Sequence, residues 1–174
     1  MPKALFIDRD GILNEIVPRG NSHHSPRTWD EVKPYSEMAR LSEIKSLGFL
    51  LIMMTNQPDI ERGMATQQFV DEIHEKFRRE FSLDAVFCCP FQSNEHPDKK
   101  PNPGMFLKAQ REFNLDLSKS FHLGDTDRDT GAAKNAGCRS ILWTRPYNTE
   151  IASDFRVASF DELKRLLTTK GRDV

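Results

Sequence analysis

The sequence predicts an α/β protein: a mainly parallel sheet of about five strands covered by helices on both faces, a three-layer α/β/α sandwich. Two observations lead there. Short apolar runs recur at residues 4–7, 49–54, 84–89, 120–123 and 138–143, and unbroken apolar runs of this length suit strands buried on both sides. Stretches with apolar residues at helical spacing stand between them, so strand and helix alternate as in βαβ units.

The first strand runs into Asp8-Arg9-Asp10-Gly11. Residues two apart share a side of an extended backbone, so Asp8 and Asp10 can converge past the strand end while Arg9 points away. Gly11 lets the chain turn. Residues 15–28, rich in Pro, Gly, Ser, Asn and His, show no periodicity and are expected to form a loop long enough for a lid. Pro34 suits a first helical turn, Met38, Leu41, Ile44 and Leu47 recur along one face, and Gly48 suits the cap; together they predict a helix of about ten to fourteen residues. The second strand ends in Thr55-Asn56-Gln57-Pro58.

Thr66 can cap a helix in which Phe69, Ile73 and Phe77 repeat every fourth residue. Residues 90–102 form an irregular loop carrying Lys99 and Lys100, and Pro103 opens a helix through Phe113. The fourth strand delivers Gly124-Asp125-Thr126-Asp127-Arg128-Asp129, followed by a short helix of small residues over 130–136 that Gly137 ends. Ser159 and Glu162 mark a capping box on the last helix, whose inner face is Phe160, Leu163, Leu166 and Leu167. The tail from Thr168 is expected to fray.

For 174 residues with no repeat or linker, one domain over 1–174 with its core at about 3–167 is the economical organisation. The 25 basic and 26 acidic residues leave a net charge of −1 with no block of one sign, which argues against a nucleic-acid or membrane surface. The start lacks a signal peptide and no apolar run could span a bilayer, so a cytoplasmic location is expected. Three cysteines, two of them adjacent, make no disulfide framework.

The residues able to do chemistry gather at the strand ends: Asp8 and Asp10, then Thr55 and Asn56, then Asp125 and Asp129, with Lys100 on a loop of the same edge. Carboxylates packed this way repel unless a cation neutralises them. A set of oxygens without His or Cys suits Mg²⁺ held by one or two carboxylates, water and a substrate phosphate. A hydroxyl and an ammonium alongside are donors of the kind a phosphoryl group needs.

These residues resemble the motifs of the haloacid dehalogenase-like hydrolases. Phe6-Ile-Asp-Arg-Asp-Gly11 resembles the first motif of its phosphatases, Thr55-Asn-Gln57 the second, Lys100-Pro101 the third and Gly124-Asp-Thr-Asp-Arg-Asp129 the fourth, in order over about residues 3–143. The fuller strings look most like the branch of heptose bisphosphate and histidinol-phosphate phosphatases. The resemblance implies a Rossmann-like fold and a Mg²⁺-dependent phosphomonoesterase acting on a small-molecule phosphate ester. Asp8 would be the nucleophile that forms an aspartyl-phosphate, and Asp10 the general acid and then base. The carboxylates of Asp8 and Asp125 and the backbone carbonyl of Asp10 would hold Mg²⁺. Thr55, Asn56 and Lys100 would bind the phosphoryl group. Asp129 would hold Lys100 or a metal-bound water, and Arg9, Gly11 and Lys99 flank these motifs.

Departures from the branch bear on the substrate. Its members often carry a zinc loop before the third motif; the corresponding positions here read Cys89, Phe91, His96 and Asp98, and Phe91 cannot ligate, so no zinc is expected. Lys99 replaces the branch's Arg and lacks its bidentate fork, and Thr126 stands where some heptose members carry a basic residue; both changes weaken a bisphosphorylated sugar as the expected substrate. The spacings between motifs leave no room for a cap domain, so the site should be open, with 15–28 and 90–102 supplying specificity. A phosphatase of nucleic-acid ends or a phosphoryl transferase is the alternative an uncapped site admits, and the charge balance argues against nucleic acid. A non-catalytic phosphate-binding protein is a further alternative, against which the complete Asp8, Asp10, Lys100 and Asp125 set speaks.

Overall fold

Six parallel strands form the central sheet of the computed structural model, which describes residues 1–20 and 22–171. Along the chain come β1 (Lys3–Ile7), the hairpin of β2 (Val17–Arg19) and β3 (Ser22–His24), α1 (Ser42–Lys45) and β4 (Phe49–Asn56). Then follow α2 (Gln67–Glu80), β5 (Ala85–Cys89), α3 (Gly104–Phe113), β6 (Phe121–Gly124) and α4 (Asp127–Ala136). The strands β7 (Arg139–Trp143) and β8 (Phe155–Val157) and the helix α5 (Phe160–Lys170) complete it. The sheet order is β5-β4-β1-β6-β7-β8.

β1 lies at the centre because its apolar residues are buried on both sides. Leu5 and Ile7, with Leu51 and Met53 of β4, meet Ile44 of α1, Ile73 and Phe77 of α2, and Phe160, Leu163 and Leu167 of α5. Ala4 and Phe6, with Ile52 and Met54, meet Met105, Phe106 and Ala109 of α3 and the alanines of α4. This strict alternation produces the two outer layers of a Rossmann-like sandwich, each buried Leu, Ile or Phe contributing about 1.5–3 kcal/mol. No cap domain stands among the described residues, and none of their helices is long and apolar enough to cross a membrane.

From β1 the chain builds outward through β4 and β5, then returns by α3 to place β6 on the other flank of β1. Such a switch opens a crevice at the carboxyl ends of the strands. That crevice receives Asp8, Asp10, Thr55, Asn56 and Asp125.

The structure corrects several expectations. The sheet has six strands rather than about five; β8 is three residues long at the sheet edge and carries a single fully buried residue, Val157, too little for an apolar run. The segment 34–47 is a 3₁₀ helix, Ser36–Leu41, passing into the four-residue α1. Its apolar residues Met38, Leu41, Ile44 and Leu47 recur every third position, which matches the three residues per turn of a 3₁₀ helix. Within 15–28 the chain pairs Val17 with His24 and Arg19 with Ser22. α4 starts at Asp127 rather than Thr130, since Thr126 and Asp129 close its first turn. α5 continues through Lys170 instead of fraying at Thr168, its end held by Gly171 N donating to Leu167 O at 3.0 Å. Residues 172–174 of that tail lie outside the described residues.

Candidate active site

The Asp8 carboxylate follows directly from β1, whose backbone continues its ladder as Asp8 N donates to Leu123 O at 2.9 Å. Asp125 follows β6, and Asp129 returns to the same point from the first turn of α4. One oxygen from each of the three lies within 4.8 Å of the others. Lys100 reaches in from the loop before α3: its ammonium is 2.8 Å from Asp8 Oδ1 and 2.6 Å from Asp129 Oδ1, and donates to Met54 O at 3.0 Å. The Asn56 carboxamide fixes that loop, its Oδ1 accepting from Lys100 N and its Nδ2 donating to Lys100 O.

Burial sets the electrostatics. It pushes Asp8 well above the usual carboxylate range, with Lys100 opposing and Asp129 and Asp125 reinforcing. Burial and the Asp129 charge raise Asp125 to about 7. Asp129 goes the other way: burial alone would raise it, but Lys100 and His122 hold it far below the carboxylate range. Lys100 stays firmly protonated, since Asp129 and Asp8 outweigh its desolvation.

The cluster fits a hard divalent cation. Asp129 has both oxygens engaged, Oδ1 with Lys100 and His122 and Oδ2 with Thr126 and the Asp125 backbone. Asp125 Oδ1, in contrast, is buried with no hydrogen-bond partner among the described residues. A buried oxygen in that condition costs energy until a donor or cation meets it. Gly11 takes φ +89°, and a Cβ there would stand 2.9 Å from Asp125 Oδ1 and nearer still to Oδ2, so the first turn after β1 is shaped around that carboxylate.

Asp10 lines the same cavity as Asp8. Its carboxylate lies outside the cluster and accepts from Ser25 Oγ at 2.7 Å and Gln57 Nε2 at 2.8 Å. Arg9, expected to point away, is fully buried, and its long side chain comes back to Asp10 through Nε at 3.1 Å and Nη2 at 3.0 Å. The remaining arm, Nη1, lies 3.2 Å from Nε2 of His74 on α2. Burial, then the Arg9 charge, lower His74 to about 3.

The cavity among these groups, lined also by Thr55, His23, His24 and Tyr147, measures about 220 Å³. That is below the roughly 300 Å³ at which sites enclosing a whole drug-sized ligand begin, so it takes one end of a molecule. Thr55 Oγ1 accepts from Gln57 Nε2 at 2.9 Å, which leaves its proton to donate. The Tyr147 hydroxyl donates to Asp125, and its ring packs 4.7 Å from His23 of the hairpin. A second cleft adjoins through His23, His24 and Asn56 and is lined by Arg62, Lys99 and Arg128; burial and the two guanidiniums lower the Lys99 ammonium.

Asp8, Thr55, Asn56, Lys100, Asp125 and Asp129 thus come together as the sequence suggests, with Asp10 beside them. Sequence reasoning missed Ser25, His74 and Tyr147 as neighbours of this centre. In the 90–102 loop, Cys89 Sγ lies 3.9 Å from His96 Nδ1, Phe91 stacks on His96 at 4.1 Å, and the Lys108 ammonium pairs with Asp98.

Fold and site together define an α/β enzyme with a carboxylate and lysine centre at the carboxyl edge of a parallel sheet. Comparison with known proteins narrows this. The haloacid dehalogenase-like hydrolase family model matches residues 22–137. A protein from Yersinia pestis named D-glycero-beta-D-manno-heptose-1,7-bisphosphate 7-phosphatase is 31% identical over 189 aligned residues, 96% of each chain. One of the same name from Helicobacter pylori (strain J99) is 34% identical over 147 residues, 80% of this chain and 82% of that one. Among solved structures, the D,D-heptose 1.7-bisphosphate phosphatase from B. bronchiseptica, complexed with magnesium and phosphate, shares the fold with a TM-score of 0.81 at 23% identity, covering 97% of this chain and 99% of that one. The chain belongs to the haloacid dehalogenase-like hydrolases, and the relatives it matches there are phosphatases by name.

Proposed function

We propose that the protein is a Mg²⁺-dependent phosphomonoesterase acting on a small phosphorylated metabolite through an aspartyl-phosphate. The observation that carries this is the juxtaposition of Asp8, Lys100 and Asp129 with the unpartnered Oδ1 of Asp125. The carboxylates of Asp8 and Asp125 and the Asp10 carbonyl would hold the cation, which when bound neutralises the negative charge gathered on carboxylates and phosphate.

Asp8 attacks phosphorus in line as the ester P–O bond breaks. Asp10 gives its proton to the departing alkoxide, then takes one from the water that attacks the aspartyl-phosphate, releasing inorganic phosphate. Lys100 orients Asp8 and neutralises phosphoryl charge, and the Thr55 hydroxyl donates to a phosphoryl oxygen. The Asn56 side chain acts by fixing Lys100.

For the organic part, a sugar bisphosphate such as a heptose bisphosphate is the best-supported substrate, with histidinol phosphate behind it. The named relatives point there, and the cleft of Arg62, Lys99 and Arg128 beside the small main cavity offers cations to a second phosphate. The test is phosphate release over a panel of heptose bisphosphate, histidinol phosphate, other sugar phosphates and a nucleotide, with and without Mg²⁺, with Asp8→Asn as the blank. Mg²⁺-dependent turnover that disappears in the variant is expected. A folded, Mg²⁺-binding protein that releases phosphate from none of these would overturn the proposal.

A further inference from the structure

Asp10 is gripped by a chain of buried groups that begins far from the reaction. The Arg9 guanidinium meets both oxygens of Asp10, and its third nitrogen faces His74 on α2. Arg9 is fully buried and always charged, so each of its donors needs an acceptor. His74 Nε2 is the acceptor that structure provides for Nη1, which fixes the imidazole as its neutral Nδ1–H form. Buried at 7% exposure on an otherwise apolar stripe with Val70, Ile73 and Phe77, His74 makes no contact with the cavity.

We infer that His74 is a positioning residue: by receiving Arg9 Nη1 it holds the guanidinium square to the Asp10 carboxylate, and so aims Asp10 at the leaving oxygen. The inference rests on the proposed role of Asp10 as proton donor. A bidentate fork is directional, so a rotation of the guanidinium carries the carboxylate with it. Without His74, Nη1 seeks another acceptor, the fork turns, and the donor loses its line to the ester oxygen.

A leaving group that needs no proton separates this role from a merely structural one. An alkyl phosphate such as a sugar phosphate departs as a poor alkoxide and depends on Asp10, whereas p-nitrophenyl phosphate releases a stable anion. His74→Leu removes the acceptor, and His74→Gln keeps a carbonyl oxygen near the place of Nε2. In H74L the kcat/KM for the alkyl ester, which reports only the steps up to the aspartyl-phosphate, is expected to fall on the order of tenfold or more, while kcat/KM for the aryl ester holds within about twofold. H74Q is expected to recover most of the alkyl-ester rate.

An equal fall in kcat/KM on both esters, or no fall on the alkyl ester, overturns the inference. Should H74L fail to fold, His74→Asn, whose shorter carboxamide stops short of the guanidinium, carries the same comparison against H74Q. Wild-type protein inactive on both esters would instead count against the phosphatase reading, so the two failures are distinct.

Discussion

The Lys100 ammonium lies 2.6 Å from Asp129 Oδ1, and the side chains of the pair are 3% and 2% exposed. Lys100 also binds Asp8, so one buried cation serves two carboxylates. Removing one member of such a set strands the others. Lys100→Met is expected to lose activity and about 3–5 kcal/mol of stability in the metal-free protein, measured by urea unfolding. The double variant with Asp129→Asn should regain part of that stability and none of the activity.

Asp125 sits at about 7 because burial and Asp129 disfavour its charge. In the proposed ligation a proton and Mg²⁺ would compete for the same oxygen, so below that value the cation would have to displace a proton. Apparent Mg²⁺ affinity should therefore fall by up to about tenfold per pH unit as pH drops below 7. Titrations of the protein with Mg²⁺ by calorimetry at several pH values check this, and flat affinity between pH 5 and 7, on the order of the window in which one group titrates, would contradict it.

Gly11→Ala puts a side chain where the Asp125 carboxylate stands and forces alanine into φ +89°. The backbone conformation alone costs about 1–2 kcal/mol. Displacement of Asp125 should weaken Mg²⁺ binding further, so the variant is expected to stay folded, melt lower, and bind Mg²⁺ at least several-fold more weakly in the same calorimetric titration.

His74 stays neutral in the fold down to about 3, whereas an exposed histidine takes a proton near 6.5. Between those values the unfolded chain binds more protons, so this group's contribution to stability is present above pH 6.5 and is lost as pH falls towards 3. Its slope is at most about 1.4 kcal/mol per pH unit. The stability difference between wild type and His74→Gln, from urea unfolding at pH 7 and 5, should narrow or reverse on acidification.

The sheet and the candidate site residues at its edge were legible because both are written locally. Apolar runs mark the buried strands, and a carboxylate, threonine or asparagine just past a strand end falls at the crevice whatever the detailed packing. The contacts of Asp10 were not legible in the same way. Ser25 reaches it from a hairpin whose three-residue strands carry no apolar alternation, and Arg9 turned back because its reach exceeds what strand parity describes. Tyr147 enters from a turn beyond β7 whose Asn148 also donates to Asp125 O, contacts that no local pattern in the sequence announces. His74 did leave a trace: a polar residue on the buried face of α2 needs a partner, and only the folded chain reveals that the partner is Arg9.

The central place of β1 also governs how the protein comes into being. Made before the other strands of its sheet, this apolar strand has β4 as its nearer partner in the chain, Lys3 pairing with Phe49, but its other edge waits for Phe121 and Leu123. Contacts so far apart in sequence form slowly. A nascent or truncated chain ending before β6 exposes the strand that carries Asp8 as a bare edge open to pairing with another molecule. Such a chain lacks Asp125 and is prone to aggregate, so synthesis must reach β6 before the carboxylate cluster or a paired β1 can exist.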